Sequence, residues 1–133
     1  MDGDKRVPVR DEADIVAARQ TGRAVAAPLG FSEVDLTLIA TAISEIARNM
    51  VEYGKGGEFL FEVVKNGTRS GVKVVAKDQG PGIPDLEKAM QDGFTTGKGL
   101  GLGLPGAKRL MDDFQVESRV GAGTTVTMIK WKR

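Results

Sequence analysis

The sequence predicts an α+β two-layer sandwich, with helices covering one face of a mixed β-sheet. Three observations carry this. The elements run β-α-α-β-β-α-loop-α-β-β without repeat or linker, and helices laid on one side of a sheet bury the apolar faces of both. The length, 133 residues, suits one domain spanning 1–133 around a single core. The chain is 41% hydrophobic but only 5% aromatic, so aliphatic side chains must fill most of that core.

Each element has a local cause. Residues 5–10 alternate Val7 and Val9 with polar neighbours around Pro8, which suits an edge strand. From Asp11 to Pro28 the residues Ile15, Ala18, Gly22, Val25 and Ala26 recur at helical steps and stop before Leu29-Gly30. Ser32 opens a stronger helix, with Asp35 three residues on as a near capping box. Its stripe is Leu36, Ile39, Ala40, Ile43, Ile46, Ala47 and Met50, closed by Tyr53-Gly54. Residues 58–65 and 71–77 are β-rich runs joined through Asn66-Gly67, a hairpin pattern. Pro84 to Met90 reads as a short helix with proline at its start. Gly93 to Gly103 has no periodicity and reads as a mobile loop. Pro105 opens a helix to about Asp113, and strands 114–120 and 124–131 turn at Gly121-Ala122-Gly123.

Composition excludes several classes of function. Nineteen Lys+Arg against 18 Asp+Glu leave a net charge of +1, so there is no broad pull toward nucleic acid or an anionic membrane. The absence of Cys removes thiolate chemistry and fits a reducing compartment. The absence of His removes the commonest general base and any phosphorylation of the chain's own histidine. A metal, if used, must be a hard cation on oxygen ligands, Mg²⁺ first among them. With neither a signal-peptide pattern nor a run of membrane-spanning length, the expectation is a cytoplasmic protein.

The 18 glycines are about twice average usage, and many lie between Gly80 and Gly106. Four constellations surround them. Glu45 and Asn49, one helical turn apart, sit beside the apolar stripe with Arg48 next on the rim. Carboxylate, carboxamide and guanidinium together can hold a metal-bound phosphate; alone they also read as a solvated face. Asp78-Gln79-Gly80-Pro81-Gly82-Ile83-Pro84 follows an apolar strand. It sets a carboxylate, suited to an exocyclic amine such as adenine's, beside close-approaching backbone, or it is an ordinary turn. Gly97-Lys98-Gly99-Leu100-Gly101-Leu102-Gly103-Leu104-Pro105-Gly106 leaves backbone N–H groups free for an anion nest before a helix N-terminus, with Lys98 as a cation. That suits a triphosphate clamp better than a linker, because Leu at every second place is unlike a solvated tether. Gly121-Ala122-Gly123-Thr124-Thr125 is a glycine turn entering the last strand.

Two matches are decoys. Gly101 to Gly106 spells the dinucleotide fingerprint, but no strand precedes it and too few residues follow for a βαβ unit. Gly93 to Lys98 approaches a P-loop, with its glycine spacing one short and Gly99 where the hydroxyl belongs.

Taken in order, Glu45-x-x-x-Asn49, Asp78-x-Gly80-x-Gly82, Gly99-x-Gly101-x-Gly103 and Gly123-Thr124 resemble the N, G1, G2 and G3 boxes of the GHKL ATP-binding domain, the Bergerat fold. The likeness is closer still to the RsbT-type serine kinases of the bacterial stressosome. It lies in Asp14 to Gln20, Ala42 to Asn49, Asp78 to Pro84, Leu104 to Asp112 and Ile129-Lys130-Trp131, and it covers nearly the whole chain.

The resemblance implies ATP and Mg²⁺ as cofactors, with Asn49 on the metal and Glu45 at the presumed general base. Asp78 would accept from the adenine amine, helped by Thr124 through water. Gly80, Gly82 and Ile83 would line the base. Lys98, Gly99, Leu100, Gly101, Leu102, Gly103 and Leu104 would form the lid over the phosphates. Arg48 has no fixed role in the wider superfamily and is a catalytic candidate through phosphate or partner contact. The implied activity is phosphorylation of Ser/Thr on STAS-domain stressosome proteins, after which the kinase is released to activate a PP2C-type phosphatase. Nucleic acid and membrane are not expected partners. The alternatives are an anti-sigma factor kinase of the SpoIIAB/RsbW type and a non-catalytic ATP sensor.

Overall fold

The computed structural model describes residues 5–52, 55–80 and 103–132. Five strands form one sheet in the order β1-β2-β3-β5-β4. They are β1 (Lys5–Val9), β2 (Gly57–Asn66), β3 (Arg69–Asp78), β4 (Asp113–Arg119) and β5 (Gly123–Trp131). Three helices are described: α1 (Glu12–Ala26), α2 (Glu33–Glu52) and α3 (Gly103–Leu110).

The two-layer α+β architecture is as expected, but the sheet is antiparallel at every pairing, not mixed. The connections explain why. Hairpins join β2 to β3 and β4 to β5, and a tight turn reverses the chain. Between β1 and β2 the chain runs through two helices, so it comes back opposed rather than parallel. β3 and β4 do run the same way, as ends of a crossover, but β5 inserts between them and pairs antiparallel with both.

Strand alternation divides the sheet into two faces. Val7, Val9, Phe59, Phe61, Val72, Val74, Ala76, Val126 and Met128 face the helices and are buried with Ile15, Ala18, Ile39, Ile43, Ile46, Leu104 and Ala107. α2 is the central helix, touching α1 on one side and α3 on the other. Gly22 of α1 permits the close approach: a Cβ there would lie 2.3 Å from Ile43 Cδ1 and 3.0 Å from the Phe61 ring. On the opposite face Trp131 is clasped. Its Nε1 donates to Asp113 Oδ2 at 3.0 Å and the Arg69 guanidinium sits 4.7 Å over the ring.

Helix starts follow the sequence signals. Asp11 caps α1 by accepting from the Asp14 N–H, and Ser32 Oγ caps α2 by accepting from the Asp35 N–H at 3.1 Å. α3 departs from expectation at both ends. It begins at Gly103, two residues before Pro105, and stops at Leu110 because Asp113 is already paired with Ile129 in the sheet. The expected helix from Pro84 to Met90 and the glycine loop up to Leu102 lie outside the described residues. No described helix is long and apolar enough to cross a membrane.

Ser32→Ala removes the cap acceptor and is expected to lower stability by about 1 kcal/mol in urea denaturation. Ser32→Asp, which restores an acceptor beside the helix N-terminus, should recover most of it; equal losses in both variants would show that the cap contributes nothing.

Candidate functional site

The site is built on one row of the sheet. Gly57, Asp78, Thr124 and Ser118 lie side by side across β2, β3, β5 and β4. Alternation puts Asp78 on the face of Ala76 and Val74, and Thr124 on that of Val126 and Met128. Asp78 is therefore the polar end of an apolar column, on the helix side of the sheet.

Its carboxylate is fixed by backbone. Oδ1 accepts from the Gly80 N–H at 3.0 Å and from the Thr124 N–H at 3.2 Å. Both bonds fall on one oxygen, so Oδ2 is left for a donor from outside. Partial burial raises the Asp78 pKa above the ordinary aspartate value, and the Gly80 and Thr124 N–H bonds offset this only in part. The carboxylate is thus oriented by backbone, with Oδ2 accepting from no described residue.

Two glycines make room around it. Gly123 has φ +90°, and a Cβ there would fall 2.2 Å from the Asp78 carbonyl oxygen. On the other side, a Cβ on Gly57 would fall 2.0 Å from the Lys77 carbonyl oxygen and 2.8 Å from the Asp78 Cα. Beyond Gly123, Ser118 Oγ lies 2.9 Å from Thr124 Oγ1, so the Thr124 hydroxyl is oriented by β4. The sequence reading did not assign Gly57 or Ser118 to the site. A glycine opening a strand is a signal of close backbone approach, but Ser118 carries no local signal, since only pairing of β4 with β5 brings it beside Thr124.

The opposite wall is α2. Among the described residues the buried polar side chains are Glu45, 6% exposed, and Thr124, 9% exposed. Glu45 was expected on the rim of the apolar stripe; it is instead buried, on a helix flanked on both sides. Arg48 and Asn49 are half-buried. The residue after Asn49, Met50, brings its Cε within 2.8 Å of where a Gly57 Cβ would stand. The end of α2 and the Asp78 row thus meet at one end of the fold.

Of the remaining predicted site residues, Gly80 is described and buried, and its N–H serves Asp78. Gly82, Ile83, Lys98, Gly99, Leu100, Gly101 and Leu102 lie outside the described residues. Gly103 and Leu104 belong to the first turn of α3, not to a loop. The Leu104 side chain is in the core, so what it can offer a phosphate is its N–H at the helix start.

The donor set fits Mg²⁺ in a particular way. No cluster of three or more His, Cys, Asp or Glu able to hold a metal occurs among the described residues. The oxygen donors of Glu45 and Asn49 stand on one helix face. A hard cation that keeps waters and takes most of its ligands from substrate phosphates needs only one or two such protein oxygens.

The family pattern described as Histidine kinase-like ATPase domain matches residues 8–130. Over 133 residues the chain is 53% identical to the protein named Serine/threonine-protein kinase RsbT of Bacillus subtilis (strain 168), covering 100% of both. It is 36% identical over 120 residues to the Anti-sigma F factor of Thermoanaerobacter sp. (strain X514), covering 86% of this chain and 82% of that one. Among solved structures it superposes on the RsbU and RsbW domains of a Mycobacterium tuberculosis protein with TM-score 0.64 and 22% identity, over 98% of this chain and 33% of that one. Against the mycobacterial sensor histidine kinase MprB the TM-score is 0.57 at 17% identity, over 97% of both. These two likenesses concern the fold.

Gly123→Ala is expected to push Asp78 off its two N–H groups and lower adenine-nucleotide affinity at least about tenfold, since a Cβ at that φ is strained whatever the space. Calorimetric affinity equal to wild type would place the base elsewhere. Acidification should weaken binding as Asp78 takes up its proton, with the fall beginning at a higher pH than an ordinary aspartate of 3.8 would give. A binding profile that stays flat through that window would exclude Asp78 as the acceptor.

Proposed function

The chain is a serine/threonine protein kinase of the histidine kinase-like ATPase domain family, and we propose that it uses Mg-ATP to phosphorylate STAS-domain proteins of a stressosome. We further propose that, once these are phosphorylated, it is released to activate a PP2C-type phosphatase in stress signalling in the cytoplasm. The observation that carries the nucleotide part is the fixed Asp78 carboxylate, with one oxygen held by backbone and one presented, on the row that Met50 of α2 meets at Gly57. The partner assignment rests on the 53% identity along the full length to a kinase of the RsbT type.

In this reading Asp78 Oδ2 accepts from the exocyclic amine of adenine, and the Thr124 hydroxyl, oriented by Ser118, completes the polar readout of the base. Gly57, Gly80 and Gly123 keep the floor free of side chains, and Gly82 and Ile83 would line the base. Asn49 would hold Mg²⁺, which when bound supplies charge neutralisation across the phosphates. The segment from Lys98 to Leu104 closes over the phosphates, with backbone N–H groups and the Lys98 ammonium as donors. Glu45 takes the proton of the acceptor hydroxyl as its oxygen attacks. A positioned base contributes about 10²–10⁴-fold, and positioning with charge neutralisation supplies most of the rest.

The 36% identity to an anti-sigma F factor supports a second reading, in which the same ATP site serves a protein that sequesters a sigma factor. The two part in a pull-down: capture of STAS-domain protein supports the first, capture of sigma factor the second.

Two variants test the catalytic assignment. Asp78→Asn should abolish nucleotide binding. It should not lower stability at neutral pH, because a buried carboxyl whose pKa is raised on folding favours the fold at low pH and loses that contribution as pH rises through the folded value. Glu45→Ala should bind ATP with affinity near wild type and lose most phosphotransfer, read with radiolabelled ATP and purified STAS-domain protein. Transfer at the wild-type rate would remove Glu45 from the role of base.

A further inference from the structure

Arg48 holds a position that the reading above leaves unused. It lies on α2 between Glu45 and Asn49, half-buried. Its Nε is the buried side-chain donor or acceptor with no hydrogen-bond partner among the described residues. Such orphaned donors are rare in folded proteins and call for a physical reason. Helical spacing offers two: Glu45 precedes Arg48 by three residues and Glu52 follows it by four, both within reach of a guanidinium. Neither forms an ion pair with it, and both are engaged in other interactions. The guanidinium is therefore held in the wall of the site by packing alone, with its inner edge unsatisfied.

We propose that Arg48 is a catalytic residue that binds the phosphoryl group in flight, an arginine supplied by the kinase's own helix α2; this rests on the kinase reading above. Three features favour this over a docking contact. A protein partner meets the solvent side of a half-buried arginine and leaves a fully buried Nε as it was. A phosphoryl oxygen is a small acceptor that a rotamer change of Arg48 would bring to the Nε. Arginine keeps its charge, so α2 would present a permanent cation to a triply charged group arriving there.

In the transfer step the bond from the γ-phosphorus to the ADP oxygen breaks, and its electron pair leaves with ADP. The acceptor hydroxyl oxygen forms the new bond to phosphorus, and its proton passes to the Glu45 carboxylate. Arg48 stays protonated throughout and donates to the equatorial oxygens, where charge is spread in a loose transition state. Its planar fork, not its charge alone, does this, so lysine is an incomplete substitute.

The first arm of the test needs no acceptor protein. Wild type, Arg48→Lys and Arg48→Met are titrated with Mg-ADP, and with Mg-ADP plus aluminium fluoride as a mimic of the phosphoryl group in transfer. Expected is a gain in affinity on adding fluoride of at least about tenfold in wild type, reduced in Arg48→Lys and absent in Arg48→Met, with Mg-ADP affinity alone within about threefold in all three. Phosphotransfer to STAS-domain protein should fall about 10³-fold or more in Arg48→Met, in the range of other transferred-phosphate arginines, with the KM for that protein unchanged. Thermal stability of Arg48→Met should equal or exceed wild type, since replacing an unsatisfied donor by an apolar group of similar length leaves nothing unpaired. The proposal is overturned if wild type gains nothing from fluoride, if the variants gain as much as wild type, or if only the KM for the acceptor protein changes. Failure of wild type to bind Mg-ADP would instead bring down the kinase reading itself.

Discussion

Everything in the site depends on how Asp78 is held. A carboxylate at the end of a strand, partly withdrawn from water, is unstable as a charge unless something donates to it. Here the fold supplies two backbone N–H groups, from the turn that follows and from the neighbouring strand, and both go to the same oxygen. This orients the second oxygen, which accepts from no described residue. The arrangement requires β5 to pass very close to the end of β3, and Gly123 at φ +90° is the residue that lets it. Gly57 permits the same closeness from β2. Sheet register and glycine placement act together at this row, and a one-residue slip in register would turn Asp78 to the other face.

The helix layer answers the same row. Met50 descends onto Gly57, which draws the end of α2 over the sheet where Asp78 stands. Gly22 lets α1 press against Ile43 and Phe61 and so fixes α2 from its other side. A helix seated this firmly can carry polar groups into a buried setting without losing their geometry. Glu45 and Arg48 show the two ways in which this is used: one carboxylate fully covered, and one guanidinium whose inner edge has no partner until an anion comes.

Much of this was legible in the residues, for reasons that can be named. Helices and strands lie within a few residues of expectation because their signals are local: Ser32 caps, Gly22 and Ile43 repeat at helical steps, Asn66-Gly67 turns. The antiparallel sheet was not legible, since β5 inserting between β3 and β4 is a non-local event that no periodicity records. For the same reason Ser118 was missed while Thr124 was not. The depth of Glu45 was misjudged because a helical wheel locates the apolar stripe and says nothing of neighbours on both flanks. The extension of α3 back to Gly103 runs against glycine's poor helix propensity, and burial of Leu104 in the core overrides it.

The absence of histidine from the whole chain then acquires a chemical meaning. In a fold shared with a sensor histidine kinase, an imidazole acceptor brings its own lone pair and can attack phosphorus without first losing a proton. A serine or threonine hydroxyl cannot; its proton must leave as the new bond forms, and water is a poor place for it to go once the site is closed. In the proposed mechanism the buried Glu45 carboxylate is the group that would take that proton. Burying it sets a negative charge next to another that arrives with the substrate. In the proposal above, Arg48, three residues along the same helix, would offset the charge that arrives with the substrate.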